Sequence, residues 1–441
     1  MKLSSFGEKF AGDSGIVGLM DDLGNALREN PDMIMMGGGN PGRLPQMEAV
    51  FRRRLDAVLG DPPQRHRLFG RYQSPQGDHD FRACVAEFLS VQYGWKLGAG
   101  NIAIANGSQP AFFTLFNMLA GAMPGEHPPE HPGEPAGGSR RIHLPLTPEY
   151  LGYADAGLTE GFFSATRPAI DLLDDHLFKY RVDFGRLELD GGVAALCVSR
   201  PTNPTGNVLT DDEVAHLDHL ARERGIPLII DGAYGAPFPN IQFTAARPHW
   251  NENTILVLSL SKLGLPGVRT GIVVAREEIA HAFANANGIL SLASGNLGPA
   301  VTLELFRTGE ILDLAREVVQ PFYQARARAA LDEFRERLAG LPFRIHQPEG
   351  AFFLWLWFEG LPIGSQVLYQ RLKQRGVLVV PGHHCFFGLD DDWPHRHECI
   401  RVSYVQDEEA VRRGIGLIAE EVARAYGAII PRRSGLQESS P

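Results

Sequence analysis

Three features of the 441-residue chain predict an α/β fold: a large domain on a mostly parallel mixed sheet flanked by helices, plus a smaller α+β domain. Between about 100 and 275, short apolar runs of strand type alternate with segments of helical apolar spacing, the pattern of βαβ units. From about 306 the texture changes to a long helical stretch, then the aromatic run "AFFLWLWF" and the helical segment "SQVLYQRLKQRG". The length also exceeds what one hydrophobic core keeps supporting. We therefore expect a large domain over residues 56–305 and a small one assembled from 1–55 and 306–441.

Taken in order, "NIAIAN" reads as a strand and "GSQPAFFTLFNMLAG" as the helix after it, with Pro110 in the first turn where a missing N–H costs nothing. "PGEHPPEHPGEPAGGSRR", Pro124 to Arg141, reads as an exposed inserted loop. "AALCVS" is the next strand and "RPTNPTGN" its loop. Thr210 with Glu213 forms a capping-box signature for a helix that Gly225 closes. "IPLIIDGAY", "TILVLSLSK" and "RTGIVVA" are three further buried strands, each expected to carry its polar residues at the carboxyl end. The terminal "PRRSGLQESSP" is polar and expected to fray.

Composition narrows the function. Hydrophobic content of 44%, charged content of 21% and a net charge of -10 fit a globular protein and argue against nucleic acid as the main partner. Four widely spaced cysteines, Cys84, Cys197, Cys385 and Cys399, fit no disulfide framework and point to a reducing compartment. The N-terminus lacks the apolar core of a leader, and no run is long enough to span a bilayer, so a cytoplasmic protein without a membrane partner is expected.

In open parallel sheets, ligands sit beyond the carboxyl ends of the strands, so Asn203, Asp231, Tyr234 and Lys262 are placed to share one crevice. Asp231 ends an apolar run and needs a cationic partner, which a protonated ring nitrogen would supply. Tyr234 offers a phenol and Asn203 an amide to the same ligand. Lys262, in the glycine-rich loop "SLSKLGLPGVRTG", is suited to condense with an aldehyde. Arg269, Ser259 and Ser261, with the N–H groups of Gly107, Ser108 and Gln109 at a helix start, suit a phosphate. Each residue alone has a plainer reading as a turn, a cap or solvated surface. The ordered conjunction of N-P-T-G, D-x-A-Y and S-x-S-K with a following arginine, each at a strand end, favours the joint site.

These motifs, with "IRVSY" near the C-terminus, resemble the fold type I pyridoxal-phosphate aminotransferases of the aspartate aminotransferase superfamily, over nearly the whole chain. The resemblance implies pyridoxal 5'-phosphate as cofactor and Lys262 as the lysine that carries it. It also implies Asp231 as partner of the ring nitrogen, Asn203 and Tyr234 of the ring hydroxyl, and Arg269 and Ser259 as phosphate ligands. Tyr150 in "PEYLGY" would stack on the cofactor, Arg401 would grip the substrate α-carboxylate, and Gly39 would lie beside the substrate together with Asn203. Tyr72 in "YQSPQG" would reach the phosphate of a neighbouring subunit, which implies a homodimer.

A narrower likeness through "SGIVGLMDDL", "GGGNP" and "EGAFFLWLWF" implies amino-group transfer between valine or alanine and pyruvate or 3-methyl-2-oxobutanoate. Residue chemistry gives only a neutral amino acid: His281 is the one basic residue between Arg276 and Arg307, so no second carboxylate clamp is evident there. A lyase or related amino-acid transformation on the same scaffold stays open, as does an amino-acid sensor without catalysis.

Two further patterns are discounted. "GGGNPG" matches G-x-G-x-x-G, but Pro41 and "RLPQ" keep the glycines from opening onto a helix, so no dinucleotide site is expected. His383, His384, Cys385, His395, His397 and Cys399 match no zinc spacing; we expect no metal there and read the segment as a pocket wall near Arg401. "AFFLWLWF" is read as core packing.

Overall fold

The computed structural model describes residues 2–12, 15–123 and 138–427. The proline-rich insertion up to residue 137 and the polar C-terminal segment lie outside the described residues.

An eight-stranded mixed sheet carries the centre of the molecule. Its order is Ile102–Ala105, Gly271–Val274, Thr254–Ser259, Leu228–Asp231, Val193–Ser199, Ser139–Leu144 and Gly121–Ala122, with Phe163–Ala165 pairing beside Ser139–Leu144. The three strands that end at Ser199, Asp231 and Ser259 are parallel neighbours, and every residue in them is buried, as expected where helices cover both faces. Alternation along the strands sends side chains to opposite cores. Ile229, Ile255 and Val257 meet Phe112, Phe116 and Phe283 on one face. Leu228, Ile230, Leu256 and Leu258 belong with Val214, Leu217 and Ala221 on the other.

Local signals behave as their chemistry requires. The helix Ser108–Leu119 holds Pro110 in its first turn. Asp211–Glu223 starts from a complete Thr210–Glu213 capping box, and Gly225 follows with φ 64°. One expectation is corrected. Gly271–Val274 runs antiparallel to both of its neighbours, so its amino end, not its carboxyl end, lies with the other strand ends. Gly271 pairs with Ser259, which delivers Arg269 to the same rim.

The C-terminal part builds a six-stranded sheet in the order Val380–Pro381, Cys399–Ser403, Phe353–Phe358, Phe343–His346, Leu177–Arg181 and Ala169–Leu172. Its last two strands come from the middle of the chain. They join because Phe178 and Tyr180 pack their rings on His346, with Phe178 also against Trp357, and Trp355 donates its indole N–H to the Tyr180 hydroxyl at 3.0 Å. Near the N-terminus, Ile34–Met35 pairs in parallel with Val377–Leu378. The long helical stretch is not one helix. Leu297–Thr308 stops at Gly309, φ 76°, and Glu310–Leu314 passes through a π-type turn, Ala315–Val319, into Gln320–Arg337. Pro321, which has no N–H to donate, follows that wider turn directly.

Candidate active site

The rim formed by Ser199, Asp231, Ser259 and the start of Gly271–Val274 is roofed by residues 37–39 and by the beginning of the aromatic strand. Lys262, half-buried in the short turn Ser261–Leu263, donates its ammonium to the Gly39 carbonyl at 2.6 Å. Its Nζ lies 5.5 Å from the ring centres of both Tyr234 and Phe352. Burial lowers the Lys262 pKa to about 8; the Arg401 and Arg269 charges push the same way, and Asp231 opposes them. An amine so placed sheds its proton far more readily than a solvated lysine.

Asp231 is buried at the end of its strand. Its carboxylate accepts from the Tyr153 hydroxyl at 2.5 Å and from the Ala233 N–H at 2.9 Å. Burial holds its carboxyl above the ordinary range despite those two donors. Tyr234 is buried with its ring edge-on to Phe352 and Phe353, and desolvation raises its phenol well above the usual value.

Arg401 projects from the strand Cys399–Ser403 into the same space at 4% exposure. Its guanidinium donates to Asn203 Oδ1 at 2.6 Å and to the Gly37 carbonyl at 2.7 Å, while Nε has no partner. It lies 4.2 Å above the Phe353 ring, and among the described residues no carboxylate offsets its charge. The loop that bears Asn203 is held against the start of the aromatic strand by a close backbone approach. A Cβ on Gly206 would stand 2.6 Å from the Gly350 carbonyl, and one on Gly350 would stand 2.5 Å from Pro201.

On the opposite side, Arg269 (φ 50°) lays its guanidinium directly over Gly107. A Cβ there would come within 2.4 Å of Nη2, and Gly107 itself has φ 102°. No side chain caps the Ser108–Leu119 helix, so its first N–H groups open onto the cleft beneath a cation. Ser259 Oγ accepts from the Ser261 N–H at 3.1 Å, which fixes the turn carrying Lys262. Gln109 turns its side chain away, donating to the Gly152 carbonyl at 2.6 Å and leaving Oε1 buried without a partner. Tyr150 is half-buried and packs edge-on against Tyr153.

Most of the expected residues thus converge on one cleft. Tyr72 does not: it is 84% exposed and makes no hydrogen bond or ring contact among the described residues. The aromatic run "AFFLWLWF" is core packing from Phe353 onward, yet its first rings also face the site cations. The histidine and cysteine cluster divides. His395 and Cys399 are buried with Tyr180, whereas Cys385 lies at the wall, its carbonyl accepting from the Glu149 N–H at 2.9 Å. Sequence reasoning missed Tyr153, Glu149, Ser199, Gly37 and Phe352. Only Tyr153 left a signal, as a second tyrosine three positions after Tyr150.

A strand-end aspartate, a lysine with a softened pKa, an uncapped helix start beneath an arginine and a buried unpaired guanidinium define an amino-acid-handling cleft on an α/β scaffold. A family model for class I and II aminotransferases matches residues 179–418, and the chain belongs to that family, with the fold type I architecture. It is 48% identical over 426 residues to valine–pyruvate aminotransferase of Escherichia coli (strain K12), covering 97% of this chain and 99% of that one. A crystal structure of valine-pyruvate aminotransferase from Salmonella typhimurium LT2 matches with a TM-score of 0.84 at 45% identity, over 94% of this chain and 100% of the other. A putative amino-acid aminotransferase from Psychrobacter arcticum 273-4 matches with a TM-score of 0.92 at 44% identity, over 97% and 99%.

Proposed function

We propose that this aminotransferase uses pyridoxal 5'-phosphate to move an amino group between a neutral amino acid of the valine and alanine type and a 2-oxo acid such as pyruvate or 3-methyl-2-oxobutanoate. The observation that carries the reading is Arg401. A buried guanidinium bonded only to two neutral oxygens is costly to keep without a counter-charge, and a substrate α-carboxylate supplies one in the geometry its fork prefers. The substrate class rests on the two relatives whose names give valine and pyruvate. The segment between Arg276 and Arg307 supports it, since His281 is its one basic residue and no second clamp is evident there.

The residues present suit the cofactor. Asp231 offers a buried carboxylate with no cation bonded to it, where a protonated ring nitrogen would sit. Tyr234 and Asn203 would meet the ring hydroxyl and Tyr150 the ring face. Arg269, Ser259 and Ser261, with the open N–H groups at Gly107, Ser108 and Gln109, would hold the phosphate, and Lys262 would carry the group covalently. The bare Gly107 beneath Arg269 is the feature that argues for an anion there. When bound, the group supplies an electron sink for the bond broken at the substrate Cα.

The chain's own residues do the rest. Arg401 fixes the carboxylate and so decides which Cα bond faces the ring. Lys262, released when the substrate amine takes its place on the group, would be a free amine of lowered pKa, about 8, placed to take the proton from the substrate Cα. The Gly39 carbonyl holds the Lys262 amine on the substrate side, and the Phe352 and Phe353 rings keep bulk water from both cations.

A homodimer in the cytoplasm fits this reading. Tyr72 stands free to reach a second copy, and Phe69, Ile289, Leu290 and Leu292 are exposed apolar side chains that a partner would cover. All four cysteines are free, and no helix among the described residues is long and apolar enough to cross a membrane. The division into 56–305 and 1–55 with 306–441 belongs to the same proposal, with the 169–181 hairpin docked on the smaller unit's sheet.

Purified protein mixed with pyridoxal phosphate should gain a visible absorption band that borohydride reduces onto Lys262. A panel of amino acids should bleach it, valine and alanine well and aspartate poorly. A protein that stays colourless with added cofactor sinks the reading, and equal bleaching by aspartate sinks the neutral-substrate part.

A further inference from the structure

Glu149 is fully buried, 0% exposed, in the loop that carries Tyr150, and no motif marks it. Three donors converge on its carboxylate. Oε1 accepts from the Ser199 N–H at 2.7 Å and the Ser199 hydroxyl at 2.8 Å, and Oε2 accepts from the Tyr150 N–H at 2.8 Å. The Ser199 hydroxyl lies 2.8 Å from Oε2 as well. Its own N–H donates to the Cys385 carbonyl at 2.9 Å. One residue thus ties together the Tyr150 loop, the end of the Val193–Ser199 strand and the wall segment that precedes Arg401. Ser199 is the register partner of Asp231 and lies four positions before Asn203.

Given the cofactor reading above, on which this rests, we propose that Glu149 is a positioning residue of the reaction: it clamps Tyr150 to the strand end beside Asp231 and, when ionised, sets a second negative charge behind Asp231. It touches neither the substrate nor the cofactor. Two of its three donors are backbone N–H groups, one on each carboxylate oxygen, so a glutamine amide, which turns its NH2 toward one of them, leaves at least one unpaired. The titratable groups around it are Asp231, Tyr153, Cys197 and Cys385; none is a cation. Burial raises its pKa to about 8 against those hydrogen bonds, with the Asp231 charge adding to the rise. A protonated Glu149 keeps its proton and donates it as a hydrogen bond to the Ser199 hydroxyl oxygen, so its link to the strand end survives protonation while the field at Asp231 changes.

Four proteins test this: the wild type, Glu149→Gln, Glu149→Asp and Ser199→Ala. In the cofactor-free wild type, infrared difference spectra taken on either side of about pH 8 should show a protonated-carboxyl stretch on the acid side that Glu149→Gln lacks. With pyridoxal phosphate bound, Glu149→Gln should move the alkaline midpoint of the visible band by on the order of half a pH unit and weaken cofactor binding roughly tenfold. Glu149→Asp should restore part of both, and Ser199→Ala should weaken binding without abolishing the midpoint. A visible band in Glu149→Gln that titrates and binds as in the wild type overturns the proposal, as does an infrared difference identical in the two proteins. A wild type that binds no pyridoxal phosphate overturns the function reading instead, and the infrared arm still decides on Glu149.

Discussion

The Arg401 guanidinium donates to Asn203 Oδ1 at 2.6 Å, joining two residues 198 positions apart, one on the small sheet and one in the loop after a strand of the large sheet. The same amide is the proposed partner of the cofactor ring hydroxyl, so the residue proposed to hold the substrate and the residue proposed to hold the ring are joined by one hydrogen bond.

Arg401→Met should separate function from stability. The carboxylate grip disappears, and the half-reaction with valine should weaken roughly a hundredfold or more. The ligand-free protein loses a buried charge that no carboxylate offsets, so its melting temperature should stay level or rise. A marked fall in melting temperature would show that the guanidinium is a structural member. Arg401→Lys should not rescue binding, because an ammonium lacks the planar fork.

Lys262 gives a pH signature. Its folded-state pKa, about 8, lies below the unfolded value near 10.5, so between those limits the unfolded chain binds more protons and stability rises with pH. Below about pH 8 the native state bears the full burden of the buried ammonium. Lys262→Met should therefore raise the melting temperature of ligand-free protein at neutral pH, and the advantage should shrink as pH approaches 10.5. A constant difference across that range would contradict the lowered pKa. Turnover should be lost throughout.

Gly107→Ala should abolish cofactor retention while leaving the sheet intact. The new Cβ meets Arg269 Nη2 at 2.4 Å, and φ 102° strains any residue but glycine, at about 1–3 kcal/mol. Titration with pyridoxal phosphate would read the loss, and far-ultraviolet circular dichroism would report an unchanged fold.

Tyr153→Phe removes the one side-chain donor on Asp231 among the described residues. The hydroxyl lowers the aspartate's pKa, so its loss should push the carboxyl further up and weaken its hold on a protonated ring nitrogen. Cofactor affinity should fall by about 1 kcal/mol, a several-fold change in Kd measured by titration. An unchanged Kd would place the hydroxyl outside the site.

The sequence made the strand ends legible because apolar runs terminated by Asn, Asp and Ser-Lys announce both a buried strand and a ligand rim. Asp231 and Lys262 were readable for that reason, and Thr210 with Glu213 because a capping box is wholly local. Other features depend on partners far along the chain. Strand direction at Gly271–Val274 is invisible to periodicity, which is the same for parallel and antiparallel pairing. The 169–181 hairpin joins the second sheet through rings that lie more than 160 positions away. Glu149 resembles a surface acid until the fold surrounds it with donors, and Phe352 is simply one more aromatic in an aromatic strand. Tyr72, legible as a motif, stands 84% exposed.

Two of the site cations rest on carbonyls from one short early segment: Lys262 on Gly39, 223 positions earlier, and Arg401 on Gly37, 364 positions earlier. During synthesis these seats leave the ribosome long before their occupants. The Gly37 seat stays empty until residue 401 has emerged, so a chain released soon after Arg269 has the residues proposed for the cofactor and lacks the guanidinium proposed for the substrate. Completion of the cleft is in this sense tied to completion of the chain through two backbone oxygens.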